Sequence, residues 1–291
     1  MSRLRIGLLA VRPRTLGASV VPVVVGTAVA ATAGRLDPRR AGAALAVAVL
    51  LQIGANLLND WGDCRRGADG PDRLGPVRVT QAGLARPGVV LGAGLGALAL
   101  AGILGLPLAW SLGAPALLAG ALAIAAAIAY TAGPLPLAYH GLGEVTVFCF
   151  FGPVAVLGTV AVQGADPTAL AWTASLPVGA LATAILLVNN VRDADTDARA
   201  GKRTIVVRWG RRTGRRLYTG ALVLALAAPA ALALLAESLA PLLAWLAAPL
   251  AVSAARTMAR SVEGPALNAA LAATARLHLA FGLLLAAGLV W

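Results

Sequence analysis

Acidic residues are scarce in this sequence, and most of them lie in two short segments. The chain of 291 residues contains twelve Asp and Glu residues, and seven of these lie in residues 56–72 and 189–197. Each segment begins with Asn and has Asp four residues later. Carboxylates this close to one another are costly unless a cation lies among them. The pattern therefore predicts two parts of one cation-binding site.

The spacing within each segment predicts that one amide and two carboxylates share a helix face, because residues three or four apart are neighbours on a helix. Asp69 and Asp72 follow a glycine and are expected in a loop, whereas Asp195 points away from Asp193. The residues that share a face are Asn56, Asp60 and Asp63 in the first segment and Asn189, Asp193 and Asp197 in the second.

Carboxylate and amide oxygens suit Mg²⁺ or Ca²⁺ better than zinc. Mg²⁺ is commonly held by one or two carboxylates together with substrate phosphate, and basic side chains neutralise the remaining phosphate charge. The two segments therefore predict a metal–diphosphate site. The alternative is that they are solvated loops whose acids pair with neighbouring arginines. The basic residues beside the acids are Arg65, Arg66, Arg73, Arg78, Arg192, Lys202 and Arg203.

The remainder of the chain has the composition of a membrane protein. Hydrophobic residues make up 59%, charged residues 12%, and the mean hydropathy is +0.82, whereas a soluble domain has about 25% charged residues. Apolar runs of about 20 residues recur, as a spanning helix requires. We predict an all-α integral membrane protein with a single domain over residues 1–291 and nine transmembrane helices in one bundle. The predicted spans are 15–33, 41–59, 88–106, 113–131, 143–162, 169–190, 217–236, 239–256 and 271–290.

The distribution of basic residues predicts the orientation. The net charge of +12 would suggest nucleic acid binding in a soluble protein, but here arginine-rich cytoplasmic loops explain it better. Alternate predicted loops, starting from the N-terminus, carry nearly all Lys and Arg, and the opposite loops carry only Arg35, Arg39 and Arg40. We therefore expect a protein of the inner (plasma) membrane with the N-terminus and both acidic segments in the cytoplasm, in contact with membrane lipid and with no nucleic acid partner.

The two acidic segments also suggest an internal repeat. Their Asn and first Asp residues are 133 residues apart in both cases, which corresponds to four predicted spans. Two repeats of four helices, followed by a last helix, would place the segments opposite each other at one end of the bundle.

Several motifs together resemble the UbiA-type membrane prenyltransferase superfamily. The resemblance extends over nearly the whole chain, and it is greatest to the branch that prenylates 1,4-dihydroxy-2-naphthoate in menaquinone biosynthesis. The motifs are residues 12–15, Asn56 to Asp69, Arg73 to Gly83, Tyr130 to Leu137, Gly141 to Glu144, Phe151 to Thr159, Asn189 to Thr204 and Arg276 to Gly282.

The resemblance implies an Mg²⁺-dependent transfer of a polyprenyl group from polyprenyl diphosphate to the naphthoate ring. Diphosphate and CO₂ are lost, and the product is demethylmenaquinol. It implies that Asp60, Asp63, Asp193 and Asp197 are catalytic and bind the metal, and that Asp69 joins them. Diphosphate or acceptor binding is implied for Asn56, Asn189, Arg65, Arg78, Arg192, Lys202, Arg203, Tyr130 and Glu144.

Some interpretations stay open. The chain has no Lys shortly after Tyr130, where many members of the superfamily have one. Glu144 could position the acceptor hydroxyl, act as a base, or be merely solvated. Another aromatic acceptor, such as 4-hydroxybenzoate, would suit the same fold, and a cation-coupled transporter is an alternative of a different class. The sequence does not indicate the prenyl chain length or the oligomeric state.

Overall fold

A computed structural model describes residues 1–68, 74–260 and 264–291 of the chain, and the regular elements in these ranges are all helical. Asp69, Asp72 and Arg73 of the first acidic segment lie outside them. The α-helices are α1 (Arg3–Val11), α2 (Pro13–Thr32), α3 (Pro38–Arg65), α4 (Pro87–Leu112), α5 (Ala114–Ala129), α6 (Gly143–Cys149), α7 (Ala155–Val162), α8 (Ala169–Arg192), α9 (Ala194–Arg199), α10 (Ile205–Leu235), α11 (Ala248–Arg260) and α12 (Gly264–Val290).

The predicted spans overlap these helices, and the prediction of an all-α, multi-pass protein is confirmed. Within the described ranges, eight helical segments are long and apolar enough to cross a membrane, whereas α5 has 16 residues. A straight crossing of the hydrocarbon core takes about 20 residues. The count of nine spans and their arrangement as two repeats stay predictions.

Local sequence signals account for several helix ends. Asp37 precedes α3, and its carboxylate accepts hydrogen bonds from the amides of Arg39 and Arg40 at 2.9 and 3.3 Å. Pro38 then occupies the first turn, where an amide hydrogen is not needed. Thr204 caps α10 by accepting from the Val207 amide at 3.2 Å. These caps satisfy backbone donors that have no partner within the helix.

The span over residues 143–162 is not a uniform helix. A π-helical turn at Phe150–Val154, which contains Pro153, separates α6 from α7. Gly152 of this turn packs directly on α8, because a Cβ added to it would lie 2.9 Å from the Cα of Gly179. The two glycines therefore allow the backbones of the two spans to meet closely.

Helix α8 lies at the centre of the bundle and carries the second acidic segment at its end. It packs against α2, α6, α10 and α12, and residues such as Val178, Leu181 and Leu187 are almost fully buried. A smaller cluster that includes Ala10, Leu57 and Val79 joins α1, α3 and the loop after α3. The bundle thus fixes the ends of both α3 and α8.

The structure corrects one detail of the second acidic segment. Sequence spacing predicts that Asn189, Asp193 and Asp197 share one face of a continuous helix. Instead α8 ends at Arg192, Asp193 has φ −93° and ψ 8°, and the short helix α9 begins at Ala194. The chain therefore turns at Asp193, and this turn sets the direction of Asp197.

Candidate active site

One large cavity connects the two acidic segments with the apolar interior of the bundle. Its volume is about 1580 Å³. Its polar end is bordered by Asn59, Asp63, Asp193 and Lys202, and its long apolar part by residues of α3, α4, α5 and α7. Many of the residues on α4 and α5 that border it are Ala or Gly. A pocket with this polarity fits a ligand with an ionic head and a long hydrocarbon tail.

Asp60 anchors the loop that follows α3. Its two carboxylate oxygens accept hydrogen bonds from the amides of Val79 and Thr80 at 2.9 and 3.0 Å, and Arg12 Nη2 lies 3.8 Å away. The side chain is 1% exposed. Asp60 thus holds residues 79 and 80 against α3, a role that its spacing from Asn56 did not predict.

Asn56 connects α3 with the N-terminal segment. Its side-chain amide donates hydrogen bonds to the Val11 carbonyl and to Thr15 Oγ1, both at 3.0 Å. Its carbonyl oxygen accepts from Gln52 Nε2 at 3.0 Å. Asn56 borders the cavity, and these bonds hold the start of α2 at its rim.

Of the two carboxylates in the first segment that the structure describes, Asp63 borders the cavity. Its Oδ2 lies 3.0 Å from Arg78 Nη2, and its Oδ1 accepts a hydrogen bond from the Tyr139 hydroxyl at 3.0 Å. Burial raises the pKa of Tyr139, and the charge of Asp63 acts in the same direction. Tyr139 therefore stays protonated and serves as a donor to Asp63.

Asp193 forms a bidentate ion pair with Arg192, its neighbour in the chain. Arg192 Nε and Nη2 donate to the two oxygens of Asp193, each at 2.7 Å. The remaining nitrogen, Nη1, donates to Asn268 Oδ1 at 2.9 Å, and Asn268 Nδ2 donates to the Leu74 carbonyl at 3.0 Å. This chain of contacts joins the end of α8 to α12 and to the loop after α3.

Asp197 pairs with Lys202, which borders the polar end of the cavity. Their charged atoms are 3.5 Å apart. Burial raises the pKa of Asp197 to about 6; Lys202 opposes this shift, and Asp193 and Asp63 add to it. Burial lowers the pKa of Lys202, but Asp63, Asp197 and Asp193 outweigh this effect and hold it above its usual range. The Lys202 ammonium thus lies in the combined field of three carboxylates.

The donors at this end suit a magnesium ion with a diphosphate. Within the described ranges no three acidic, His or Cys side chains converge tightly enough to form a complete metal cluster. However, three carboxylates from two segments act on one ammonium group, and hard oxygen donors are the ligands that Mg²⁺ prefers. An Mg²⁺ ion also binds readily with only one or two protein carboxylates when phosphate supplies other oxygens. The residues present therefore fit such an ion.

The other predicted site residues differ in their placement. Asn189, Tyr130, Arg78 and Arg192 border the cavity. Glu144 lies directly behind its wall, where Oε1 accepts a hydrogen bond from Asn190 Nδ2 at 2.8 Å.

Two predicted phosphate-binding residues lie away from the cavity wall. The Arg65 guanidinium lies 5.2 Å from the centre of the Trp61 ring and is exposed. Arg203 is also exposed, and its backbone amide donates to the Tyr139 carbonyl at 3.0 Å. Neither residue borders the cavity.

Sequence reasoning missed four polar residues of the site: Asn59, Tyr139, Asn190 and Asn268. Asn59 and Asn190 are each next to a predicted residue in the chain. Their amide side chains beside the two motifs are the signal that could have identified them. Tyr139 supports three residues: it donates to Asp63, and its ring lies 5.3 and 5.5 Å from the charged groups of Arg66 and Lys202. Nothing in the sequence links Asn268 to the acidic segments, because 76 positions separate it from Arg192.

Comparison with known proteins agrees with this geometry. The profile of the UbiA prenyltransferase family matches residues 19–281. A 1,4-dihydroxy-2-naphthoate octaprenyltransferase of Mycobacterium tuberculosis is 48% identical over 215 residues, which cover 74% of this chain and 73% of that protein. The Escherichia coli protein of the same name is 40% identical over 75% of this chain and 73% of its own length.

A solved structure shows the same fold. It is a UbiA homolog from Archaeoglobus fulgidus bound to DMAPP and Mg²⁺, with a TM-score of 0.65 and 15% identity, and the alignment covers 96% of this chain and 98% of that one. Its fold agrees with the helical bundle, and the profile match and the bacterial relatives show the family. The chain belongs to the UbiA prenyltransferase family.

Proposed function

We propose that this protein transfers a polyprenyl group from polyprenyl diphosphate to 1,4-dihydroxy-2-naphthoate, with loss of CO₂ and diphosphate, to give demethylmenaquinol. The observation that carries this proposal is the 48% identity over about three quarters of both chains with the M. tuberculosis octaprenyltransferase for that acceptor. The apolar cavity with a charged end supports it, because a polyprenyl diphosphate has the same division into tail and head.

The charged end binds the diphosphate with Mg²⁺. Asp63, Asp193 and Asp197 are the ligands best placed for the ion, with Asp60 beside them; Asp69, the remaining predicted ligand, lies outside the described residues. When bound, Mg²⁺ stabilises the negative charge that develops on the leaving diphosphate.

The protein's own cations act on the same diphosphate. Arg78, Arg192 and Lys202 now pair with carboxylates at 3.0, 2.7 and 3.5 Å. The carboxylates would hold the metal ion and the three cations would hold the diphosphate, so each side chain would exchange its present partner for a new one of opposite charge. Charge-assisted hydrogen bonds of this kind orient phosphate strongly.

The apolar part of the cavity holds the prenyl tail and keeps water from the allylic carbon. Phe150 and Phe151 border it, and an aromatic face stabilises a nearby cation by about 0.5–2 kcal/mol. The absence of bulk water matters because water would capture an allylic cation before the ring attacks it.

The proposed membrane topology of the protein follows from its helices and from the charges in its loops. We place the protein in the inner (plasma) membrane with nine spans, arranged as two four-helix repeats and a last helix, and with α5 as the short fourth span. The N-terminus and both acidic segments lie in the cytoplasm, where diphosphate and the aromatic acid are available. The Lys and Arg excess in the loops on that side supports this orientation.

Membranes that contain the protein test the reaction. They are supplied with polyprenyl diphosphate and with either 1,4-dihydroxy-2-naphthoate or 4-hydroxybenzoate, and prenylated product is measured before EDTA, after EDTA and after restoration of Mg²⁺. We expect product with the naphthoate, lost with EDTA and recovered with Mg²⁺. Product with 4-hydroxybenzoate alone would contradict the proposed acceptor. Absence of product with every aromatic acid would contradict prenyltransferase activity and favour a transporter.

A further inference from the structure

Glu144 is a buried carboxylate, and only one of its two oxygens has a hydrogen-bond partner in the part of the chain that the structure describes. It lies in the first turn of α6 and is 6% exposed. Oε1 accepts a hydrogen bond from Asn190, but Oε2 is enclosed and has no hydrogen-bond partner among the residues that the structure describes. A buried carboxylate oxygen without a hydrogen-bond donor is unfavourable. This position therefore favours a ligand that carries a hydrogen-bond donor.

The surroundings of Glu144 belong to the cavity wall. Gly143 and Thr146 on the same helix border the cavity, and so does Asn190, the partner of Glu144. A Cβ on Gly143 would lie 3.1 Å from the Tyr130 hydroxyl, so the glycine allows Tyr130 to pack against the start of α6. Glu144 therefore lies between a chain neighbour, Gly143, and a hydrogen-bond partner, Asn190, that both border the cavity.

Asn190 links Glu144 to the charged end of the cavity. It is about one helical turn before Asp193 on the chain, and both residues border the cavity. A ring hydroxyl that meets Glu144 beside Asn190 would therefore lie about one helical turn from the end where the diphosphate is proposed to bind.

We propose that Glu144, held in place by Asn190, accepts a hydrogen bond from a ring hydroxyl of the aromatic acceptor. This inference rests on the proposed function. It requires the carboxylate to turn toward the cavity when the acceptor enters, so that Oε2 meets a donor. Acceptance of this hydrogen bond increases the electron density of the ring and orients its reactive carbon. Glu144 thus selects hydroxylated aromatic acids over those without the hydroxyl.

The test compares how three competitive inhibitors bind: 2-naphthoate, 1-hydroxy-2-naphthoate and 4-hydroxy-2-naphthoate. The wild-type protein should bind at least one hydroxylated compound on the order of 10- to 100-fold more tightly than 2-naphthoate, as a hydrogen bond to a charged group predicts. In Glu144→Gln the amide nitrogen takes the place of Oε2 and donates instead of accepting, so the preference should disappear. Glu144→Asp keeps a carboxylate and should retain part of the preference.

Two controls separate this role from general damage. The KM for polyprenyl diphosphate should not change in Glu144→Gln, since the diphosphate binds elsewhere. Val145→Thr is the matched control on the same helix, because Val145 is 58% exposed and does not border the cavity; it should keep the full preference.

Two results would overturn the inference: a wild-type protein that does not distinguish the three compounds, or a Glu144→Gln variant that keeps the wild-type preference. Failure of the proposed function would be seen separately, as absence of prenylated naphthoate with the wild-type protein. The three compounds are measured by direct binding to the purified protein, which does not depend on turnover by the variant, so the two failures remain distinct.

Discussion

The Arg78 guanidinium lies 3.0 Å from the Asp63 carboxylate, and both side chains are buried at the charged end of the cavity. Arg78 reaches this position because Asp60, one turn before Asp63 on α3, binds the amides of the next two residues of the loop. One helix end therefore supplies both a carboxylate for the site and the anchor that brings in its cation. This arrangement separates the roles of neighbouring acids and makes them testable one by one.

Asp60→Ala should lower both stability and activity. Two buried hydrogen bonds to a charged carboxylate are lost, so the free energy of unfolding should fall by about 2–3 kcal/mol, and turnover should fall at least ~100-fold as the loop with Arg78 is released. Thermal unfolding and turnover over a range of Mg²⁺ concentrations measure both effects. Wild-type activity of the variant at low Mg²⁺ would contradict the placement of Asp60 in the site.

Asp37→Ala is the control for Asp60. Asp37 caps the other end of the same helix, with its side chain 43% exposed. Loss of such a cap costs about 1 kcal/mol. Turnover should not change, because the start of α3 lies far from the acidic segments along the helix.

Asp193→Ala should abolish turnover and leave a buried charge without its partner. Arg192 is 2% exposed and forms both of its short contacts with Asp193, and removal of one member of a buried pair typically costs about 3–5 kcal/mol. The matched change is Asp195→Ala, two residues away, whose partner Arg211 is well exposed; an exposed pair contributes about 1 kcal/mol or less. Equal loss of activity in both variants would argue against a specific role for Asp193.

Tyr139→Phe should raise the KM for polyprenyl diphosphate by roughly tenfold, the equivalent of one hydrogen bond. The hydroxyl that donates to Asp63 is lost, but the ring beside Arg66 and Lys202 remains. Tyr139→Ala removes the ring as well and should have a larger effect, because the two cations lose an aromatic face. Steady-state kinetics with both substrates distinguish the variants. An unchanged KM in Tyr139→Ala would show that Tyr139 does not support the diphosphate site.

Lys202→Met should raise the KM for polyprenyl diphosphate by on the order of 10- to 100-fold, since the loss of a charge-assisted contact is worth about 1.5–3 kcal/mol. The KM for the aromatic acceptor should stay near the wild-type value. The apparent affinity for Mg²⁺ should not fall, because the ammonium that competes for Asp197 is gone. Exposed Arg39, at the start of α3, offers a control in Arg39→Gln, which should leave both KM values unchanged. A Lys202→Met enzyme with normal diphosphate binding would exclude Lys202 from the site.

Gly179→Ala tests the close packing of α8 on the π-helical turn. The added Cβ would lie 2.7 Å from the Phe148 carbonyl oxygen and 3.1 Å from the Cα of Gly152. Overpacking of backbone against backbone costs about 1–3 kcal/mol, so we expect a lower unfolding temperature. Gly96→Ala is the control, because a Cβ there has nothing within 4 Å; its unfolding temperature should be unchanged or slightly higher.

The sequence alone was sufficient for the class of protein, and it predicted where the chemistry lies. Long apolar runs predict spanning helices because the bilayer leaves no other way to satisfy the backbone. Acids are so rare outside the two segments that their paired spacing indicated a joint site. The two segments contain Asp63 and Asp193, which border the polar end of one cavity together with Lys202, the partner of Asp197.

Tertiary structure decided what each polar residue does. Asp60 and Asp63 have similar positions in the motif, but one binds loop amides and the other meets Arg78 and Tyr139. The turn at Asp193 and the link from Arg192 to Asn268 also depend on how α8 packs against α12. Spacing along a helix determines only which side chains share a face. Their hydrogen-bond and ion-pair partners are distant in the chain. Only the packing of the whole bundle determines which of these distant residues contact them.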